Sequence, residues 1–483
     1  MIYETSLYKE LNRYWEEKIV SFHMPGHKMG RLIPDYLKED LLRYDLTELP
    51  GLDNLHFPEG IILDSQKRTS NCVGAKESFF LVNGSTAGIL ASLHATMRRG
   101  DKIIAGRDSH RAFANALNLC GAVPVYIKPY FVDEYGIYGT LKTSHIERAI
   151  EENPDSKALF LTRPTYFGVC CDIKKIRELT SERGMLLIVD EAHGAHLPYS
   201  NNLPESAIYY GADIVIQSAH KTLPAPNQTG YLHVNSDKID IENLKITLSM
   251  FQTTSPSYIL LMLLDFAGEF MDKKGRKLLE DLIIINNGFR NTFKDDTKIK
   301  VLDDYCLMEG NIDPTRLVIN VSKTGMTGFE FGRILHNDYK IAVEMSDIQN
   351  IVCITTVSDD VNHVKYLENC ILDISRTCEE SINSSNSKSI VIEELKVPDM
   401  KISPKDAFER VCEKVLLKKA DGRIAKHTIT PYPPGIPAIC PGELFNGEVI
   451  ENLINLYNHG AKIDGIDGNL MVDVVCGEED TYE

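Results

Sequence analysis

Between residues 62 and 240, short apolar runs alternate with stretches of helical spacing. Ser78-Phe79-Phe80-Leu81-Val82, Lys102-Ile103-Ile104-Ala105, Val123-Pro124-Val125-Tyr126-Ile127, Ala158-Leu159-Phe160-Leu161-Thr162, Leu186-Leu187-Ile188-Val189 and Asp213-Ile214-Val215-Ile216-Gln217 read as strands. Residues 86–98 and 111–119 between them read as helices. These strands are apolar throughout rather than alternating with polar positions, the mark of strands covered on both faces. Pro124 cannot donate to a ladder, so its strand belongs at an edge or starts there. The rhythm predicts an α/β fold with a mainly parallel sheet, in which ligands gather at strand ends.

The flanks are organised differently. Residues 1–20 fit one amphipathic helix, with Leu7, Leu11, Tyr14 and Trp15 as its stripe. From Pro25 to Gly60 the chain is punctuated by glycine and proline, and an arm reaching toward a subunit partner is expected there. Residues 241–290 read as long helices. Residues 300–380 mix strands at 315–321 and 351–356 with a helix near 362–373, which suggests a second α/β unit. The polar run Glu379 to Lys388 reads as an exposed linker. The expected division is an N-terminal helix and arm (1–60), a large domain (61–290), a small α/β domain (291–380) and a C-terminal α+β domain (390–483).

A chain of 483 residues exceeds a single ordinary core, in keeping with several domains. A net charge of -17 argues against a nucleic-acid partner, without excluding a local positive pocket. The start alternates charged and apolar residues and does not read as a signal peptide. No apolar run has membrane length, so no membrane partner is expected. The 11 cysteines are scattered, and reduced thiols in a cytoplasmic protein are the expectation.

Candidate chemistry collects at the strand ends. The run 186–189 leads into Asp190-Glu191-Ala192-His193-Gly194, and the next strand leads into Ser218-Ala219-His220-Lys221. An Asp ending one strand and a Lys following the next is the arrangement pyridoxal 5′-phosphate needs: the lysine takes the aldehyde, the carboxylate keeps the pyridine nitrogen protonated. Asn83-Gly84-Ser85-Thr86, between a strand and a helix, can cup a phosphate with backbone N–H groups and hydroxyls, or can be a plain helix cap. Asp108-Ser109-His110 follows another strand, and His110 either lies flat on a ring or caps the next helix. Asp190, Glu191, His193 and His196 also invite a metal reading, but helical spacing does not bring all four round one ion, and no metal is expected. Two Pro- and Gly-rich motifs, 23–30 and 431–437, set polar groups on stiff backbone, the second leading to Pro441-Gly442-Glu443.

The ordered set Phe22-His23-Met24-Pro25-Gly26-His27-Lys28, Leu46 to Asp53, Phe80 to Thr86, Asp190 to Gly194, Ser218 to Lys221 and Tyr432 to Pro437 resembles the bacterial ornithine/lysine/arginine decarboxylases. It resembles most their short form, which lacks an N-terminal receiver-like wing domain. The resemblance implies a pyridoxal-phosphate enzyme of fold type I, the aspartate-aminotransferase type. Lys221 and Asp190 would be its central catalytic groups, His110 would stack on the ring, and His193 lies where larger members have a tryptophan. Gly84, Ser85, Thr86, Ser218 and His220 would surround the phosphate. Glu443 would recognise the substrate side chain. A homodimer with active sites at the interface is implied, with Ser255, Ser257 and Tyr258 on a loop near the partner's cofactor. Two departures stand out. Arg163 replaces a common asparagine, and points either toward the ring oxygen or away; Ala219 replaces a common threonine.

The expected reaction is α-decarboxylation of a basic amino acid, with arginine preferred and lysine or ornithine as alternatives. An aminotransferase or lyase, or a non-catalytic regulatory homologue, are the competing readings.

Overall fold

The computed structural model describes residues 5–39, 41–381, 396–432, 435–458 and 460–476. Its centre is a seven-stranded sheet. In chain order the strands are β1 (Glu77–Leu81), β2 (Lys102–Gly106), β3 (Val123–Ile127), β4 (Ala158–Thr162), β5 (Leu186–Asp190), β6 (Ile214–Gln217) and β7 (Gly230–Val234). Their spatial order is β1-β7-β6-β5-β4-β2-β3. Strands β3, β2, β4, β5 and β6 run parallel to one another. β7 is antiparallel to both β6 and β1. Pro124 sits in edge strand β3, where its missing N–H costs no ladder bond on the open side.

The apolar runs divide between two faces with period two. Ile103, Ala105, Ile188, Ile214 and Ile216 pack with helices Gly84–Thr96, Arg111–Cys120 and Ile241–Phe251. Ile104, Leu187, Val189 and Val215 face the other way, onto helices Thr143–Glu152 and Ile173–Glu182. Both faces are therefore dry, as uninterrupted apolar strands require.

A second core gathers around a four-stranded sheet of Lys300–Val301, Arg316–Asn320, Asn350–Ile354 and Met345–Ser346. Every pairing in it is antiparallel, unlike the large sheet. Strand Cys412–Leu416 pairs antiparallel with Met471–Val475, and with helix Gly447–Asn458 they enclose a further core. The linker expected from Glu379 to Lys388 lies largely outside the described residues.

The N-terminal segment is a helix followed by an arm. Helix Ser6–Glu16 forms, yet no residue in it is buried, and Leu7, Leu11 and Trp15 are exposed. The arm is anchored on its own chain. Strand Val20–Phe22 pairs in parallel with Ile341–Val343. Gly26 donates to the His220 carbonyl at 2.7 Å, and a Cβ there would collide with the Leu223 backbone. Lys28, almost wholly buried, donates to the carbonyls of His23 and Ile354. At the far end, Asp53 accepts the backbone N–H groups of Gly60, Ile62 and Leu63 at the start of helix Ile61–Val73. Between these anchors Leu42, Leu46, Leu49 and Phe57 are exposed.

Candidate active site

A cavity of about 480 Å³ opens at the carboxyl ends of the parallel strands. Gly84, Ser85, Thr86, His110, Asp190, His193, Ser218, His220 and Lys221 all line it. Residues from 84 to 221 are thus brought to one place because β1, β2, β5 and β6 end on the same side of the sheet.

Gly84 turns the chain from β1 into the following helix with φ +72°, a left-handed conformation that glycine adopts at no steric cost. Its N–H donates to the Gln228 carbonyl at 2.7 Å. The helix start then presents Ser85, whose Oγ accepts from Ser218 Oγ at 2.8 Å. Asn83 makes no capping bond, so this helix start, which lines the cavity, has no side-chain cap, and its Gly84 N–H is taken by the Gln228 carbonyl. His220 directs Nδ1 at the Thr229 carbonyl, 2.8 Å away, which fixes the proton on Nδ1 and leaves Nε2 for the cavity. Burial holds this imidazole down to about 4. His110 is the cap of helix Arg111–Cys120, its Nδ1 accepting from Ala112 N at 3.2 Å. The two readings of His110 are compatible, since the capping ring also forms the cavity wall. Desolvation, then the charge of Lys221, depress its pKa.

Asp190 is 2% exposed and ends β5, where the Ala192 N–H donates to its Oδ1 at 3.1 Å. Burial pushes this carboxyl up, and Lys221 partly offsets the push. A cation against it would supply what the protein leaves undone. Lys221 lies on the one-turn helix Ala219–Thr222 after β6. Burial pushes its amine down, against the opposing pull of Asp190 and Glu344. Its Nζ lies 3.1 Å from His193 Nε2.

Several residues with sequence-predicted roles lie elsewhere. Glu443 is fully buried and does not line this cavity. Gly442 turns with φ +87° against the Ile402 backbone, and the Glu443 carboxylate folds back to take the Cys440 N–H at 2.7 Å and Arg107 Nη2 at 2.9 Å. Glu443, expected to recognise the substrate side chain, is held by Arg107 outside the cavity of its own chain. Arg163 points away from the cavity: its Nε donates to the Cys171 carbonyl and its guanidinium pairs with Glu191 at 3.6 Å. Thr162, one residue earlier and opposite Asp190 in the ladder, lines the cavity instead, with a buried hydroxyl lacking a hydrogen-bond partner. Glu191 is held by Ser206, Ala207 and Gln217, and His196 by Asp313, so the four residues weighed as metal ligands take separate partners. Ser257 caps helix Tyr258–Phe270, Tyr258 bonds to the Asp53 backbone, and Ser255 is exposed; none of the three lines the cavity.

Sequence reasoning missed three contributors. Glu344 accepts from Tyr166 OH at 2.8 Å and from Met24 N at 2.9 Å, two residues that line the cavity. Arg316, from the small sheet, donates to His193 Nδ1 at 3.1 Å. Arg107 holds the Pro437 and Ala438 carbonyls beside cavity residues Gly435 and Ile436. A charged residue opening an otherwise apolar strand, as Arg316 does, is the signal that was available. Among the described residues, no helix is long and apolar enough to cross a membrane.

Residues 5–310 match the family described as Orn/Lys/Arg decarboxylase, major domain, and residues 388–471 match the Orn/Lys/Arg decarboxylase, C-terminal domain. An arginine decarboxylase of Bacillus subtilis (strain 168) is 34% identical over 470 residues, 96% of each chain. Among solved structures, a lysine decarboxylase of Francisella novicida superposes with a TM-score of 0.80 at 20% identity, over 94% of this chain and 78% of its own. An alanine–glyoxylate aminotransferase from Nostoc sp. shares the fold with a TM-score of 0.59 at 14% identity, covering 74% of this chain and 95% of its own.

Proposed function

We propose that this chain, which belongs to the Orn/Lys/Arg decarboxylase family, uses pyridoxal 5′-phosphate to remove the α-carboxylate of a basic amino acid, arginine in preference to lysine or ornithine. The observation that carries the reading is the convergence of Lys221, Asp190 and the Ser85–Ser218 pair on one cavity. The preference for arginine rests on the Bacillus subtilis relative.

The residues present fit the cofactor. A buried carboxylate short of counter-charge, Asp190, suits a protonated ring nitrogen. The uncapped helix start with two serine hydroxyls suits a phosphate. The unpartnered Thr162 hydroxyl faces the same space. When bound, pyridoxal phosphate supplies an electron sink for the pair left behind as carbon dioxide departs.

The chain's own groups would do the rest. Lys221, its amine favoured by burial, would attach the cofactor and later serve as a proton carrier at the α-carbon. Asp190 would hold the ring proton through an ion pair. Gly84, Ser85, Thr86, Ser218 and His220 would orient the phosphate, and His110 would wall one side of the ring. Tyr166, Tyr432 and Ile436 line the cavity and would keep water from the reacting carbon. We further propose a homodimer in which the loop bearing Ser255, Ser257 and Tyr258 approaches the partner's cavity; the exposure of Ser255 and of Leu42, Leu46 and Leu49 supports it.

Product analysis tests the reading. The full chain supplied with cofactor is given arginine, lysine or ornithine, and agmatine, cadaverine and putrescine are quantified. The matching amine is expected, with agmatine formed fastest. A keto acid in its place would assign the chain to transamination.

A further inference from the structure

Lys221 does not meet the rest of the protein alone. His193 Nε2 stands 3.1 Å from its Nζ, and Arg316 Nη2 stands 3.1 Å from His193 Nδ1. The imidazole thus bridges a lysine of the large sheet and an arginine of the small one. His193 is 5% exposed and Arg316 1%.

One arrangement of protons satisfies both contacts as hydrogen bonds. A guanidinium has donors and no acceptor, and stays charged. His193 Nδ1 must therefore accept. A neutral imidazole then carries its single proton on Nε2, directed at Lys221. Nζ can accept that proton only as a neutral amine, because an ammonium has three donors and no lone pair. The bridge rewards the amine and places donor against donor when Lys221 is charged.

Arg316 is built into place rather than swept there. Its carbonyl accepts from Arg290 Nη2 at 2.7 Å, and its N–H donates to the Asp313 carbonyl at 3.0 Å. A Cβ on Gly168 would fall 2.7 Å from Arg316 Cβ, so the stem lies against a position that only glycine leaves open. Its Nε and Nη1 are buried without hydrogen-bond partners. A guanidinium kept inside with donors unmet is a poor device for stability alone. Other charges also reach the pair: Asp190 and Glu344 pull Lys221 toward the ammonium, the Arg316 charge also acts on Lys221 directly and opposes them, and His110 and His220, like Arg316, face His193.

We infer that Arg316 is a positioning residue that fixes the Nε2–H tautomer of His193 and through it keeps Lys221 in the nucleophilic amine form. This rests on the reading of Lys221 as the cofactor-binding lysine, but the test does not require turnover.

Two measurements on the full chain without cofactor decide it. In [15N]histidine-labelled wild type, with His193 assigned by difference against His193→Gln, Nε2 is expected to carry the proton; a proton on Nδ1 overturns the inference. The titration of Lys221 is followed by competitive acetylation and mass spectrometry across pH. Arg316→Met frees the tautomer and is expected to raise the titration by about one unit, a tenfold loss of amine at neutral pH. Arg316→Lys, which is also donor-only, should restore the wild-type titration. An unchanged titration in a folded Arg316→Met overturns the inference, as does an equal rise in a His193→Gln background, since the effect would then bypass His193. If the titrations behave as expected and no amine product forms, the bridge stands and the assigned reaction falls.

Discussion

Replacing Glu443 by alanine separates two roles for that carboxylate. Glu443 is fully buried and Arg107 is 8% exposed; their charged atoms lie 2.9 Å apart. The alanine variant leaves Arg107 inside with only the carbonyls of Pro437 and Ala438 as acceptors. Breaking a buried pair from one side costs about 3–5 kcal/mol. Those two carbonyls still solvate the guanidinium, and Glu443 Oε1 and Arg107 Nε already lack partners, so the loss belongs near the lower end, about 3 kcal/mol. The total stability of a domain is about 5–15 kcal/mol, so this is a large fraction. Urea unfolding of the full chain measures it. The double variant Arg107→Leu/Glu443→Leu removes both charges and should be less destabilised than the sum of its single changes. The reasoning is refuted if Glu443→Ala leaves the urea midpoint in place while selectively raising the KM for arginine. Glu443 would then reach substrate and not Arg107.

The remaining predictions concern the cavity and its N-terminal anchor. Ser218→Ala deletes the hydroxyl beside Ser85 and should weaken cofactor binding roughly tenfold to a hundredfold, read by titration of the apoprotein with pyridoxal phosphate. Asp190→Asn keeps the shape and removes the charge; the rate should fall on the order of 10²-fold or more while the cofactor still binds, read by steady-state kinetics at saturating cofactor. Lys28 is depressed by burial to about 8 in the folded chain, against an ordinary value of 10.5. Between those values the unfolded chain binds the extra proton, so this group's contribution to stability rises with pH. The stability of wild type relative to Lys28→Met should therefore increase from pH 8 to pH 10.5, read from urea midpoints; a constant difference would remove Lys28 from the alkaline response.

The large sheet was legible because its strands are apolar on both faces, a pattern that local sequence carries in full. Strand β7 was not. It opens on Gly230 and contains His233, a buried polar residue whose ring bonds to Ser78 and Gln217 on the two neighbouring strands. Those partners exist only once the sheet is formed. The antiparallel order of the small sheet was hidden for the same reason, since pairing direction depends on connections rather than composition. At the site, Asp190 and Lys221 stood out because the first ends an apolar strand and the second comes shortly after the next. Arg316 and Glu344 arrive from the small sheet, more than 90 residues downstream of Lys221, and nothing in their own neighbourhoods reports that distance. A Pro-Gly-Glu turn announces the placed carboxylate of Glu443 without saying that Arg107 receives it.

Release of carbon dioxide from carboxyl-labelled arginine by the full chain with pyridoxal phosphate, wild type beside Lys221→Ala, bears most directly on the assigned reaction. Label is expected in the gas phase, matched mole for mole by agmatine, and is expected to be lost in the variant. Label retained in solution by a wild-type chain that has taken up the cofactor would contradict the assigned reaction.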